Sequence, residues 1–184
     1  MTPRNFAMNP VTLGFKKLHP EAFVPTYATQ HSACFDVRVC LPAGHRTVDV
    51  WTRDNIHSKG MAFPDENGGT DAVLLLQQGD RVLLPTQLIL DIPEGYSVRL
   101  HMRSGLAVKA GLMLSNCEGV IDSDYTQQLM VPVTNTSGTI LRIRHGDRIC
   151  QGEIMEVIPA IFAQVDDIGQ KGDRIGGFGS TGKA

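Results

Sequence analysis

Two acids and a tyrosine fall within four positions in Gly119-Val120-Ile121-Asp122-Ser123-Asp124-Tyr125. Aspartate is disfavoured inside strands, so the pair after Val120-Ile121 predicts a strand end or a hairpin tip. A carboxylate there can face a cleft and deprotonate a water, and a tyrosine ring offers a flat apolar platform. The same seven residues suit an ordinary polar turn equally well, so the rest of the chain has to decide. Arg103-Ser104 opens a predicted helical turn, where backbone N–H groups, a hydroxyl and a guanidinium can converge on an anion. The glycine-rich tail from Arg174 to Gly182 would let amides wrap a phosphate, with Phe178 as a stacking ring and Ser180 and Thr181 as donors. Gln151, after Gly146-Asp147-Arg148-Ile149-Cys150, is a donor for a phosphate or a water. Asp36 is a second carboxylate on a strand face that it shares with Arg38. Taken singly these are a capped helix, a flexible end, a polar strand residue and a surface ion pair. Taken together they describe a triphosphate site with an aromatic lid and a sugar platform. Gly-x-x-x-x-Gly-Lys-Ser/Thr is absent, so the site is not a P-loop.

The elements that must hold these residues read as strands. Residues 11–18 form a first strand and 32–40 a second, on which Phe35, Val37 and Val39 alternate with Asp36, Arg38 and Cys40. Residues 47–51 alternate again, whereas 52–71 have no period and are rich in Asp, Asn, Gly and Ser, which predicts a surface loop or extended hairpin arm. Strands follow at 72–76, 82–84, 87–92 and 98–103, then at 129–133, 139–143 and 149–157, with Gly-Asp-Arg turns at 79–81 and 146–148. Residues 104–109 are the one helical stretch, with Ser104 as its cap and Gly111 as its stop. Many short strands and one stub of helix predict an all-β jelly roll or distorted barrel. The core pattern ends near 165, leaving 166–184 as a glycine-rich C-terminal arm.

At 184 residues one domain with a real core is expected. A formal net charge of −2 argues against nucleic-acid binding. No apolar run is long enough to span a bilayer, and the first residues lack the apolar region of a secretory signal, so a cytoplasmic protein is expected. Cys34, Cys40, Cys117 and Cys150 form no Cys-x-x-Cys pair and none stands beside a histidine in zinc spacing. They are read as reduced, mostly buried small hydrophobes, with no metal bound directly by the protein.

Five stretches occur in a telling order: Ser32-Ala33-Cys34-Phe35-Asp36, Arg103-Ser104-Gly105-Leu106-Ala107, Gly119 to Tyr125, Gly146-Asp147-Arg148-Ile149-Cys150-Gln151 and Gly176 to Gly182. This order resembles the five motifs of trimeric dUTP pyrophosphatases (dUTPases), over nearly the whole chain except residues 44–71, which look like an insertion. The resemblance implies a jelly-roll homotrimer with three shared sites that hydrolyse dUTP to dUMP and pyrophosphate, keeping uracil out of DNA and supplying dUMP for thymidylate synthesis. It implies that Asp122 orients and deprotonates the water, while Tyr125 lies under the deoxyribose. Asn116 and the backbone of Gly119, Val120 and Ile121 would read uracil from a hairpin. Arg103, Ser104, Gly105 and Gln151 would hold phosphates, Phe178 would stack on uracil, and Gly179, Ser180 and Thr181 would close on the γ-phosphate. Asp36 would act through waters near a Mg²⁺ that the phosphates coordinate. The chain departs from the family at Cys34-Phe35, where Gly-Tyr or Gly-Leu is usual, at Met102 and at Thr126-Gln127. The family's tail arginine falls five residues before the phenylalanine, where this chain has Asp173, with Arg174 next to it. The related dCTP deaminases use a glutamate ten residues after the central aspartate, and Pro132 stands there. A regulatory alternative, a dUTPase fold whose 44–71 insertion binds a protein partner with nucleotide as switch, is left open by the insertion.

Overall fold

A computed structural model describes residues 10–64, 72–170 and 172–173. The elements run β1 (Gly14–Lys17), β2 (Thr26–Tyr27), β3 (Phe35–Arg38), β4 (Thr47–Trp51), β5 (His57–Met61), β6 (Phe63–Pro64), β7 (Ala72–Leu76) and β8 (Arg81–Pro85). They continue with β9 (Leu88–Asp91), β10 (Tyr96–Met102), α1 (Ser104–Ala110), β11 (Leu112–Leu114), β12 (Gly119–Ile121), β13 (Met130–Asn135), β14 (Leu141–Arg144) and β15 (Arg148–Glu156). The all-β expectation with one short helix holds.

Two five-stranded sheets dominate, in the orders β12-β10-β15-β3-β2 and β11-β13-β8-β4-β5. A three-stranded sheet, β14-β7-β6, and the pair β1-β9 complete the set. All described pairings are antiparallel, which lets one face of each sheet be apolar and the other polar. On β10, Val98 and Leu100 are buried while Arg99 and His101 on the other face are half-exposed. On β13 the buried positions alternate strictly as Val131, Val133 and Asn135. Val37, Val82, Leu84, Val98, Leu100, Val131 and Val133 meet in one core. Each such side chain contributes roughly 1.5–3 kcal/mol on full burial.

Close approach of β3 and β15 depends on one glycine. A Cβ added at Gly152 would stand 2.4 Å from the Phe35 ring, its cross-strand partner. The ring therefore fills the space that a side chain at 152 would need, and β15 can lie flat across it.

The start of the helix differs from the sequence expectation. Ser104 is the first helical residue rather than the cap: Arg103 occupies the cap position, in extended geometry, and makes no capping side-chain bond. Gly111 does end the helix, in left-handed geometry at φ 66°, with its N–H on the Leu106 carbonyl. Of the two forms expected for residues 52–71, the described part takes the hairpin arm: β5 pairs with β4 and joins the second large sheet as its edge. Lys59 and His57 both bond Asp49 across that hairpin and hold its carboxyl below the usual range, Lys59 more strongly. The tip docks on the body through Arg81 to Asn55 and Arg53 N–H to Asp80. Residues 65–71 lie outside the described residues.

After β15 the chain continues without secondary structure through residues 157–170. Ile158, Ile161, Phe162 and Ile168 on this strap are 75–99% exposed. Among the described residues, no helix is long and apolar enough to cross a membrane.

Candidate active site

Asp36 sits in the middle of β3, opposite Gln151 of β15 and Thr26 of β2. Its strand face allows either a surface pair with Arg38 or a functional role, and the surface reading is excluded because it is only 4% exposed. Its Oδ2 accepts a hydrogen bond from Arg148 Nη1 at 3.1 Å. Arg103 Nε lies 3.4 Å from Oδ1, yet Oδ1 has no hydrogen-bond donor in line. The closeness of the ions and the missing bond are compatible: the guanidinium neutralises the charge while its N–H points elsewhere. Arg38 instead donates to the Gly146 carbonyl at 2.7 Å and lies over the Phe23 ring. Arg103 also donates to the Arg148 carbonyl at 3.3 Å, tying the start of α1 to the start of β15. One buried acid thus braces two arginines from distant parts of the chain. Removing one partner of a buried pair leaves an unbalanced charge and costs about 3–5 kcal/mol.

Arg103 and Arg148 also line a cavity of about 300 Å³ between α1, β3, β14 and β15, and Arg38, Arg142 and Asp147 line it too. Four guanidiniums and the Asp147 carboxylate line it, and although Asp36 pairs with two of the arginines the lining keeps a positive excess of the kind that suits an anion. Asp147 is already engaged, because its carboxylate accepts the Arg144 N–H and so closes the turn between β14 and β15. Ser104 and Gly105 follow Arg103 in the first turn of α1, which no side chain caps, and neither is among the residues that line the cavity. Gln151 pairs with both Asp36 and His101 in the sheet ladder. Beside it the Cys150 thiol is pushed up to about 12, first by burial and then by the Asp36 charge, so it takes no part as a nucleophile.

The central stretch is built differently. β11 pairs with β13 and β12 with β10, so the segment between them crosses from one large sheet to the other instead of forming a paired hairpin. Asn116 is exposed in that crossover, and Cys117 next to it takes a left-handed φ of 63°. Gly119, Val120 and Ile121 form β12 itself. A Cβ at Gly119 would press on Leu100 at 3.0 Å, so the glycine lets β12 lie close to β10. Asp122 follows and is exposed; its carbonyl accepts the Tyr125 N–H, and the Tyr125 hydroxyl donates to the Gln128 carbonyl at 3.0 Å. The Tyr125 ring is 39% exposed, free to serve as a platform.

These two groups are at opposite ends of one strand. Ile121 pairs with Val98, so Asp122 leaves the sheet at the start of β10, while Arg103 follows its end. Five residues of strand separate the two levels, roughly 17 Å at about 3.3 Å per residue. The fold therefore brings Asp36, Arg103 and Gln151 together and keeps Asp122 and Tyr125 apart from them. Arg174, Phe178, Gly179, Ser180 and Thr181 lie outside the described residues.

Sequence reasoning missed Arg148, Arg38 and Arg142 as site residues. Arg148 was visible only as part of a turn signature. Arg142 had a signal in the Leu-Arg-Ile-Arg alternation of β14, whose polar positions face away from the core.

A family model described as dUTPase matches residues 70–182. A deoxyuridine 5'-triphosphate nucleotidohydrolase of Finegoldia magna is 40% identical over 127 residues, 69% of this chain and 87% of the relative. One of Dinoroseobacter shibae is 38% identical over 160 residues, 87% of this chain and 88% of the relative. A solved structure of a mutant Staphylococcus bacteriophage 80alpha dUTPase with dUpNHpp superimposes with a TM-score of 0.69. It is 21% identical and covers 93% of this chain and 98% of its own, a likeness of fold.

Proposed function

Since this chain belongs to the dUTPase family, we propose that it hydrolyses dUTP to dUMP and pyrophosphate at sites shared between copies of the chain. The observation that carries the reading is the arginine-lined cavity braced by Asp36, set about one strand length from the exposed carboxylate of Asp122. Phosphoryl transfer needs positioning and charge stabilisation around the phosphates plus a group that orients the nucleophile. Arg103, with Ser104, Gly105 and Gln151, supplies the first. Asp122 supplies the second, taking the proton of the water that attacks the α-phosphorus. Tyr125 supports the deoxyribose, and the exposed backbone after Asn116 reads the uracil edge.

Because Asp122 and Arg103 cannot meet in one chain, the water-orienting carboxylate comes from a second copy. The exposed strap is consistent with assembly: Ile158, Ile161 and Phe162 are 86–99% exposed. A homotrimer closes such a head-to-tail arrangement into a ring. The tail around Phe178 then closes a site, with the amides of Gly179, Ser180 and Thr181 on the terminal phosphate and Arg174 beside it.

The donor set also fits Mg²⁺ carried by the substrate. Asp36 has one buried oxygen without a donor, but two guanidiniums flank the carboxylate, so the protein offers no bare carboxylate cluster to grip the ion. Mg²⁺ brought in by the substrate would neutralise phosphate charge, and Asp36 would act on it through water rather than as a direct ligand.

Pyrophosphate release measured side by side with dUTP, dCTP, dTTP and UTP tests the assignment. A strong preference for dUTP is expected. Equal rates on dCTP, or ammonia released from it, would overturn it.

A further inference from the structure

The outward polar face of the first large sheet carries a group that the hydrolytic site does not use. Cys34, His101 and Glu153 come from β10, β15 and the residue just before β3, three neighbouring strands in the ladder. One ligand-type atom from each lies within 4.8 Å of the other two, and all three residues are half-buried. His101 Nε2 and Glu153 Oε2 are 3.0 Å apart. Tetrahedral zinc with ordinary bond lengths needs about 3.3 Å between a nitrogen and an oxygen ligand and about 3.5 Å between a nitrogen and a sulfur. The imidazole and carboxylate are thus already at ligand spacing, and the thiol requires a shift of about 1 Å, within reach of a side-chain rotation.

The other side of the ring is prepared as well. Glu118 Oε1 lies 3.7 Å from His101 Nδ1, and Arg99 Nη1 holds the same carboxylate at 3.4 Å. At that distance the carboxylate is not yet hydrogen-bonded, but a small rotation would let it accept the Nδ1 proton and leave Nε2 for a metal, the usual arrangement behind a ligating histidine.

We propose that Cys34, His101 and Glu153 bind one zinc-class divalent ion per chain, with Glu118 orienting His101 and a water completing the tetrahedron. One thiolate, one imidazole and one carboxylate select a borderline-soft ion over Mg²⁺, so this site is distinct from the magnesium of the reaction. Binding expels the Cys34 proton to solvent as the metal–sulfur bond forms. Burial, and secondarily the Glu153 charge, push that thiol up, so it is protonated until a metal replaces the proton. The location gives the ion a consequence. His101 pairs with Gln151, and Cys34 lies two residues before Asp36, so a bound ion ties together the strands that carry those two residues.

The test uses the full-length assembled protein, dialysed against Zn²⁺ in excess Mg²⁺ and assayed for metal content, and separately loaded with Co²⁺. One zinc per chain and a thiolate-to-cobalt charge-transfer band are expected. C34S should abolish the band, and H101N or E153Q should weaken zinc binding at least tenfold. E118Q should weaken it less, about tenfold, as loss of an outer partner does. C117S, which removes the exposed thiol of the crossover, should change nothing. Melting curves verify that each variant is folded. No zinc retained by the parent protein, or an unchanged cobalt band in C34S, would overturn the proposal; the parent spectrum alone decides even if a variant fails to fold. Failure here leaves the dUTP assay untouched, and failure of that assay leaves the metal measurement untouched.

Discussion

The two ends of β10 are opposites. At its far end Arg103 is locked to a buried aspartate and to the Arg148 carbonyl, so its geometry is set before any ligand arrives. At its near end Asp122 and Tyr125 sit on an exposed segment held by a turn bond and one hydroxyl. Rigid placement suits groups that hold a polyanion, because each guanidinium would otherwise lose rotamer freedom on binding. The exposed end waits for another surface. On the proposed shared-site arrangement, the contrast teaches that one chain carries both halves of a site at levels too far apart to meet within it.

The sharpest way to break this contrast is Asp122→Asn. Turnover should fall by about 10²–10⁴-fold, since a general base acts in the transition state, while affinity for a non-hydrolysable dUTP analogue and the melting temperature stay near parental. An unchanged rate would make Asp122 a turn residue. At the other end Arg103→Ala should lower catalytic efficiency by about 10²-fold and also destabilise the fold, because Asp36 loses a partner. Separate loss of stability and of rate in the two variants, read by thermal melting and kinetics, would sharpen the comparison.

Mixing the two inactive variants is the next test. If the halves come from different copies, co-refolded mixtures should regain activity at about one site in four by random assembly. No recovery, with mixed assemblies verified by mass, means that each chain completes its own site.

Smallest is the effect of alkali. Cys150 is raised to about 12 in the folded state from an ordinary value of 9.0. Above pH 9 the unfolded chain therefore sheds this proton while the folded chain keeps it. The stability that the neutral thiol contributes is complete below pH 9 and is lost as pH rises through about 12. Denaturant melts across that window should show the decline, and Cys150→Ala should flatten it. In the same range a thiol reagent should label Cys117 before Cys150, since Cys117 is exposed and Cys150 is buried.

Much of this was legible in the chain because strands announce themselves locally. The alternation on β3 and β10 and the glycine turns at 79 and 146 placed most strands within a few residues. Partners were not legible. Asp36 was paired by its neighbourhood with Arg38, but Arg148, 112 residues away, takes it, because antiparallel pairing with β15 decides which cation faces the acid. Cys34, His101 and Glu153 escaped for the same reason: zinc spacing rules look along the chain, and this cluster runs across three strands. Arg103 and Ser104 were interchangeable as cap and first helical residue, and a one-residue shift at a helix end follows no strong local signal. The crossover at Asn116 looked like a hairpin because a turn between two apolar runs reads the same whether the runs pair with each other or with different sheets.

In the proposed homotrimer, the bare strap after β15 would make the protein's durability depend on how much of it is present. Ile158, Ile161 and Phe162 are almost wholly exposed on a lone chain, and such a surface is most stable when another copy covers it. Folding and assembly are then linked by mass action, and the melting temperature should climb as the protein is concentrated. Dilution alone would weaken the molecule, with no change of residue, pH or ligand.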